Sequence, residues 1–325
     1  MRKSSLLWMV SLILSLAAAS PRAAQAAAEG SFQRDLKVTG PVNLDVATGS
    51  GSIVVRAGAS DEVKVSGHIR VGDWRNTNAD EKVRRIEQNP PIEQTGNTIR
   101  IGRIEDPELK RNVSISYEIT VPAQTQLRAT SGSGDQRVDG IRGPLEVQTG
   151  SGDIQASGIG AAVQAQTGSG DADFTKIQGS LRIQTGSGSI HAKEIAGSFT
   201  GQTGSGDIEL TQTSAGTVRA DTGSGSVELR GVHGALDAET GSGNIQATGS
   251  PEGHWTLHTG SGEVEVSLPA DLGFDLDAHT SSGHIATKRE ITVPGSLSTK
   301  ELRGKVHGGG VPVEIKTGSG DIEIN

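Results

Sequence analysis

The tetrapeptide Thr-Gly-Ser-Gly, or a close variant of it, returns along this chain at a nearly constant interval, and few folds accommodate such a rhythm. The central serines are Ser133, Ser151, Ser169, Ser187, Ser205, Ser224, Ser242, Ser261, Ser282 and Ser319, separated by 18, 18, 18, 18, 19, 18, 19, 21 and 37 residues. A short fixed period marks an array in which each repeat is one supersecondary unit stacked on its neighbours. The last interval is close to two periods, which points to one marker lost beneath an insertion.

Within one period, Leu145, Val147 and Thr149 alternate with Glu146 and Gln148; past the glycines, Ile154 and Ala156 alternate with Gln155 and Ser157. Alternation at period two is a strand with one dry face. Each repeat is thus a coil of two strands and two turns, in which glycine supplies positive φ or close backbone approach at the reversal. Successive coils pair in parallel at about 4.8 Å per coil, so like residues form ladders. Thr149, Thr167, Thr185, Thr203, Thr222, Thr240 and Thr259 run inside with the aliphatic residues; Gln148, Gln166, Gln184, Gln202, Asp221, Glu239, His258 and His279 run outside. The expected fold is all-β: a two-sheet parallel β-solenoid, or single-chain β-helix, with coils of ~18 residues and an irregular N-terminal β region. At the coil spacing its regular part is a rod on the order of 50 Å long.

Residues 1–26 read as a secretory signal peptide: Arg2 and Lys3 precede an apolar run from Leu6 to Ala19, and Ala24-Gln25-Ala26 offers a cleavage site. The run is too short to span a bilayer. Its removal takes away Arg2, Lys3 and Arg22 and no acid, moving the net charge from −8 to −11. Such a chain repels phosphate backbones and anionic membranes, which argues against nucleic acid as a partner. There is no cysteine, hence no disulfide framework or thiolate chemistry. The expectation is an exported protein, periplasmic or extracellular at the cell surface, with no membrane span.

Between residues 27 and 125 the rhythm loosens. Thr48-Gly49-Ser50-Gly51 forms one early turn, Glu62 to Val71 and Ser114 to Val121 read as strands, and a helix is expected after Thr77-Asn78-Ala79-Asp80, with Val83 and Ile86 on one face and Pro90-Pro91 as its stop. This region is expected to cover the first edge of the regular solenoid at 126–325, because a bare terminal coil exposes an unpaired strand edge. An insertion at about 288–311 interrupts the far end and is expected to fold back over the last coils as a partial cap. Edges left open offer a route to self-association.

The repeated Gln-Thr-Gly-Ser-Gly-Asp-Ile, the stretch Tyr117-Glu-Ile-Thr-Val-Pro122 followed by Leu127 and the turn at Ser133, and the leader peptide resemble the bacterial adhesin-like family of Gly-Ser-Gly repeat β-solenoids, relatives of the autotransporter-adhesin-like head (GIN) domains. The resemblance implies two sheets linked by Gly-Ser-Gly turns, an adhesive role and no catalytic residues or cofactor.

Several residue sets bear on chemistry. Asp173, His191, Glu209 and Glu228 form an outer ladder with Lys193 and Arg230 one column over, the face that a polysaccharide-processing β-helix would use. Asp135, Asp153 and Asp171 follow the turn glycines in consecutive coils and are read either as a weak Ca²⁺ site or as polar side chains bonding turn amides. His258 and His279 are expected to stack in adjacent coils with His284 nearby, a candidate two-imidazole site. The basic run Lys288, Arg289, Lys300, Arg303 and Lys305 is either a solvated loop or a contact for an anionic glycan or lipid headgroup. Phe174, Phe199, Trp255 and Phe274 fall on inward positions, which leaves Trp74 as the candidate for stacking on a sugar. The reading drawn from all of this is a non-catalytic cell-envelope interaction or scaffold protein whose partner is an envelope or surface protein or glycan. A polysaccharide-processing enzyme and a cation-stabilised structural rod are the alternatives.

Overall fold

The computed structural model describes residues 28–58, 61–72, 78–102, 104, 106–293 and 298–325. The expected signal peptide, Thr77 and Trp74 lie outside the described residues. Among the described residues the fold is an all-β solenoid of two long sheets, a 14-stranded parallel run with antiparallel strands at its N-terminal end and a 15-stranded parallel run with antiparallel strands at both ends.

In the middle of the rod, alternation turns directly into ladders. One sheet stacks Leu145, Val163, Leu181, Phe199, Val218, Leu236 and Trp255 in register. The other stacks Ile154, Ala172, Ile190, Ile208, Val227, Ile245 and Val264. These residues and all four inward aromatics are buried. Each large aliphatic or aromatic side chain so buried contributes about 1.5–3 kcal/mol. The Thr ladder is inside as well, and its hydroxyls are satisfied: from Thr149 to Thr259 each donates to the carbonyl of the second turn glycine of the preceding coil, at 2.9 to 3.2 Å. An interior column of hydroxyls is tolerable only because each has this partner.

The two turn glycines serve different needs. A Cβ on Gly186 would lie 2.6 Å from the Gly168 carbonyl oxygen of the coil below, so the first glycine is required by close approach. Gly206, a second glycine, has φ +155°, a conformation that costs little only without a side chain.

At both ends the coils depart from chain order. Val311–Ser319 lies between Trp255–Ser261 and Phe274–Ser282, and Ile322–Ile324 lies between Val264–Ser267 and Ile285–Thr287. The expectation that each coil pairs with the next in sequence therefore fails here: coil 311–324 is wedged between coils 255–267 and 274–287. Among the described residues the 37-residue interval hides no lost coil. The segment inside it supplies Glu301–Val306, antiparallel to Phe274–Ser282, with Ile291–Thr292 beyond it. These strands cover the outer edge of that sheet, as an edge needs. The extra length of the preceding 21-residue interval lets the chain step over one coil height.

The N-terminal end repeats the pattern. The coil of Val42–Ser50 and Ile53–Gly58 sits between one built from Thr98–Ile101 and Val113–Pro122 and one built from Thr125–Ser133 and Gln136–Asp139. Beyond these, Glu62–Val71 and Ala28–Lys37 add antiparallel strands to one sheet, and Ile92–Thr95 adds one to the other. The helix Ala79–Gln88 buries Val83 and Ile86. It packs on the first strand at Gly30, where any Cβ would strike Val83, and the Glu87 carboxylate accepts from the Ser31 amide at 2.9 Å.

Candidate functional site

The exterior of the rod is built from columns. On the 15-stranded sheet, Gln148, Gln166, Gln184 and Gln202 stand in register, followed by Asp221, Glu239 and His258. The Gln184 amide donates to Gln202 Oε1 at 2.8 Å. Beside this column runs a mixed one in which Arg128 pairs with Glu146 at 3.2 Å and Arg219 with Asp237 at 3.5 Å. Over these four coils the column repeats an amide every ~4.8 Å. Its geometry suits an extended or repetitive partner more than a small molecule.

On the opposite sheet, Asp173, His191, Glu209 and Glu228 are brought together as a ladder. His191 Nδ1 lies 3.1 Å from Asp173 Oδ1, with about a third of the His191 side chain and nearly half of the Asp173 side chain open to solvent. Lys193 and Arg230 stand one column over, and Arg230 turns along its strand to pair with Glu228.

The aspartates after the turns have a structural use. Asp135 Oδ1 accepts from the Asp153 amide at 3.0 Å, Asp153 from the Asp171 amide at 2.9 Å and Asp171 from the Ser189 amide at 2.8 Å. Asp207 and Asn244 repeat the contact on Ser226 and Glu263. One oxygen of each carboxylate is thus committed to the next coil, the amide-bonding reading of these residues. That Asn244 fills the slot equally well shows that an acceptor oxygen is what the position requires.

The imidazole pair expected at His258 and His279 is not formed. Both residues are in register with Lys316, one on either side of it, because coil 311–324 intervenes. Two coil heights, about 9.6 Å, separate their strands, and Lys316, whose ammonium pairs with Glu314 along its own strand, occupies the position between them. His284 lies elsewhere, 3.7 Å from Asp321. The basic run at 288–305 stays at the surface, with Lys288, Lys300, Arg303 and Lys305 exposed and Arg289 half-buried, but most of its cations are engaged within the chain: Arg289 donates to the carbonyls of Pro269, Ala270 and Asn325 at 3.1, 2.8 and 2.8 Å, and also to that of Leu268. Lys300 reaches the Ser281 carbonyl at 3.0 Å, and Arg303 pairs with Asp277 and Glu301 at 3.0 and 3.2 Å. These cations hold the end coils together.

Tyr117, the one tyrosine of the chain, reads in the sequence only as a residue of the strand Ser114 to Val121. It is 1% exposed, and its hydroxyl has no hydrogen-bond partner among the described residues. Burial pushes its phenol above the ordinary range. The ring borders a cavity of about 590 Å³ between the early turn at Thr48–Ser50 and the strand Val113–Pro122.

Known proteins bear on this geometry in one decisive way. The Toastrack DUF4097 family matches residues 103–200 and again 161–325. The chain belongs to the Toastrack DUF4097 family. The overlapping matches are what a repeating coil produces. Solved structures similar to this Toastrack chain include a "putative cell adhesion protein" of Clostridium sporogenes, 13% identical, covering 91% of this chain and 99% of its own, with a TM-score of 0.22. Two others are a "putative adhesin" of Bacteroides fragilis, 13% identical, covering 91% and 97%, TM-score 0.32, and one of Parabacteroides distasonis, 9% identical, covering 90% and 97%, TM-score 0.29. No curated protein sequence matches the chain. Among the described residues, no helix is long and apolar enough to cross a membrane.

Proposed function

We propose that this Toastrack protein is a non-catalytic, exported interaction or scaffold module of the cell envelope, adhesin-like and related to the GIN head domains. The supporting observation is the in-register amide column Gln148–Gln202 on the outer face of the 15-stranded sheet, where Gln148 donates to Glu146 and Gln184 to Gln202 while Gln166 is exposed, a repeating polar strip for an envelope protein or glycan. The leader peptide expected at residues 1–26 supports a periplasmic or cell-surface location.

The test immobilises the mature chain and measures retention of defined glycans and envelope fractions. Replacing Gln148, Gln166, Gln184 and Gln202 by lysine is expected to abolish retention, whereas four lysines at Gln155, Thr175, Thr211 and Thr248 on the other sheet leave it intact. Equal loss from both sets would remove the column from the reading. The polysaccharide-processing alternative rests on the contact of His191 with Asp173 and on Glu209 one coil further. Carboxylates two coils apart stand ~9.6 Å from each other, at the upper end of an inverting pair. Glycan cleavage by the wild type that vanishes in a His191→Ala, Glu209→Gln variant would replace the scaffold reading with that one.

A further inference from the structure

Coils 255–267 and 274–287 are joined by a short loop, yet coil 311–324, which arrives later in the chain, holds them apart. We propose that this wedged coil is exchangeable: the slot it fills also receives residues 311–324 of a second copy of the chain, giving self-association by reciprocal exchange. This goes beyond the amide column and does not depend on it.

The contacts inside the slot are those of the repeat itself. Thr317 donates to the Gly262 carbonyl at 3.0 Å, and Thr280 donates to that of Gly320 at 2.9 Å. The amides of Gly262 and Gly320 reach the Ser319 and Ser282 carbonyls at 2.8 and 2.9 Å. The His284 amide donates to Asp321 Oδ1 at 2.8 Å, and Val313, Ile315, Ile322 and Ile324 are buried. A latch on the receiving coil closes over the inserted one: Lys288 Nζ binds Asn325 Oδ1, and Arg289 binds the Asn325 carbonyl, each at 2.8 Å. None of these contacts depends on the path by which the inserted coil arrives, so a coil from another copy makes them all.

The path itself is a separable hinge. Glu301–Val306 lies on one side of Phe274–Ser282 and Val311–Ser319 on the other, so the chain must round the end of that strand. It does so through His307, Gly308 and Gly309, with φ of +47°, +88° and +90°, followed by Gly310. A Cβ on Gly308 would meet nothing within 4 Å. An exposed glycine hinge that carries a whole coil across its neighbour is the element that exchange re-routes while every other contact is kept. With the hinge intact, the tethered coil out-competes a free one through its effective concentration; shortening the hinge removes that advantage.

The experiment deletes Gly308–Gly310 in the full chain and exploits the absence of cysteine. His258 and Lys316 are register neighbours, so His258→Cys on one chain and Lys316→Cys on another report exchange when the two are mixed. The expected result is a dimer by light scattering, with heterodisulfide yield raised about tenfold or more over the hinge-intact mixture. A hinge-deleted chain that stays monomeric would overturn the proposal, as would a dimer without the 258–316 cross-link. Should the deletion prevent folding, a chain ending at Gly310 is mixed with a synthetic peptide of residues 311–325. Stoichiometric capture supports the slot as a receptor, and failure to bind the peptide overturns it.

Discussion

The middle of the rod and its two ends are made of the same coil and obey different rules of order. From Leu145 to Ser267 every coil rests on its predecessor in sequence, whereas at each end a coil is slipped between two others that come from elsewhere in the chain. The hydrogen bonds record the difference. The Thr185 hydroxyl reaches back 15 residues to Gly170, while that of Thr317 reaches back 55 to Gly262 and that of Thr280 reaches forward 40 to Gly320. At the N-terminal end Thr48 bonds the Ile115 carbonyl at 2.8 Å, and Ser131 bonds that of Gly51 at 3.3 Å. The same bond is made throughout, so a coil specifies the shape of its neighbour but not its identity.

The strongest test of that contrast is Gly186→Val in the middle against Gly318→Val at the end. Both place a Cβ 2.5–2.6 Å from a carbonyl oxygen of the coil below, and each is expected to cost about 2–3 kcal/mol. The first should lower the main melting transition. The second should leave it in place and remove amide-exchange protection only from residues 274–325, since an end unit of a stacked array opens by itself. A uniform loss in both variants would show that ends and middle form one cooperative unit.

Arg289→Ala removes a guanidinium that ties Asn325 to the loop at Leu268–Ala270. A loss of about 2 kcal/mol is expected for charge-assisted bonds of this kind, read as faster exchange in Val311–Asn325 with coils 145–249 unchanged. Next in size is a gain. At the second bend of the coil, Gly158 and Gly231 have φ of +64° and +70°, but the equivalent sites of two middle coils carry Lys176 and Glu194 at +59° and +57°. Glu194→Gly is expected to raise stability by about 0.5–1 kcal/mol, because a Cβ is disfavoured in that conformation; a fall in the melting midpoint would show that the Glu194 side chain contributes more than its backbone costs.

Asp153→Asn should change stability by less than about 0.5 kcal/mol, since the amide keeps the acceptor that the Asp171 N–H uses, and chelator should have no effect on either protein. A chelator-sensitive wild type would favour the cation-stabilised rod. The smallest effect concerns the wedged coil. The hydrogen bond from Lys316 holds the Glu314 carboxyl below its usual value. A depressed folded value means that the pair's stabilisation is present above the ordinary carboxylate range and is lost as the pH falls through the folded one. The gap in melting midpoint between wild type and Glu314→Gln should therefore be small at about pH 7 and close as the pH falls through the depressed folded value; a gap that persists in acid would point to packing as its source.

The coil itself was legible because period-two alternation and paired glycines are local instructions. They place Leu181, Ile183 and Thr185 inward and Arg182 and Gln184 outward without reference to the rest of the chain, and Phe174, Phe199, Trp255 and Phe274 followed the same rule into the core. The ladder Asp173, His191, Glu209 and Glu228 was legible for the same reason, as its members lie in coils that are successive both in sequence and in space. His258 and His279 were misplaced because their coils are successive only in sequence. A signal was present in the lengthened interval between Ser261 and Ser282, which reaches over one coil height, and in the glycines at 308–310, which allow the chain to double back.

What the amino-acid sequence determined alone is the cross-section of the rod: two strands, two bends, an inner file of threonines and an outer file of amides. The tertiary structure decided the order in which those cross-sections stack at the ends, and with it which residues of distant segments meet. The physical reason is degeneracy. Every coil offers the same amides, carbonyls and apolar rows to whatever lies above and below it, so local chemistry is nearly indifferent to which coil comes next. The choice falls to features that differ between coils: the length of the loop at Leu268–Gly273, the reach of Arg289, and a glycine hinge that can turn the chain around its own edge.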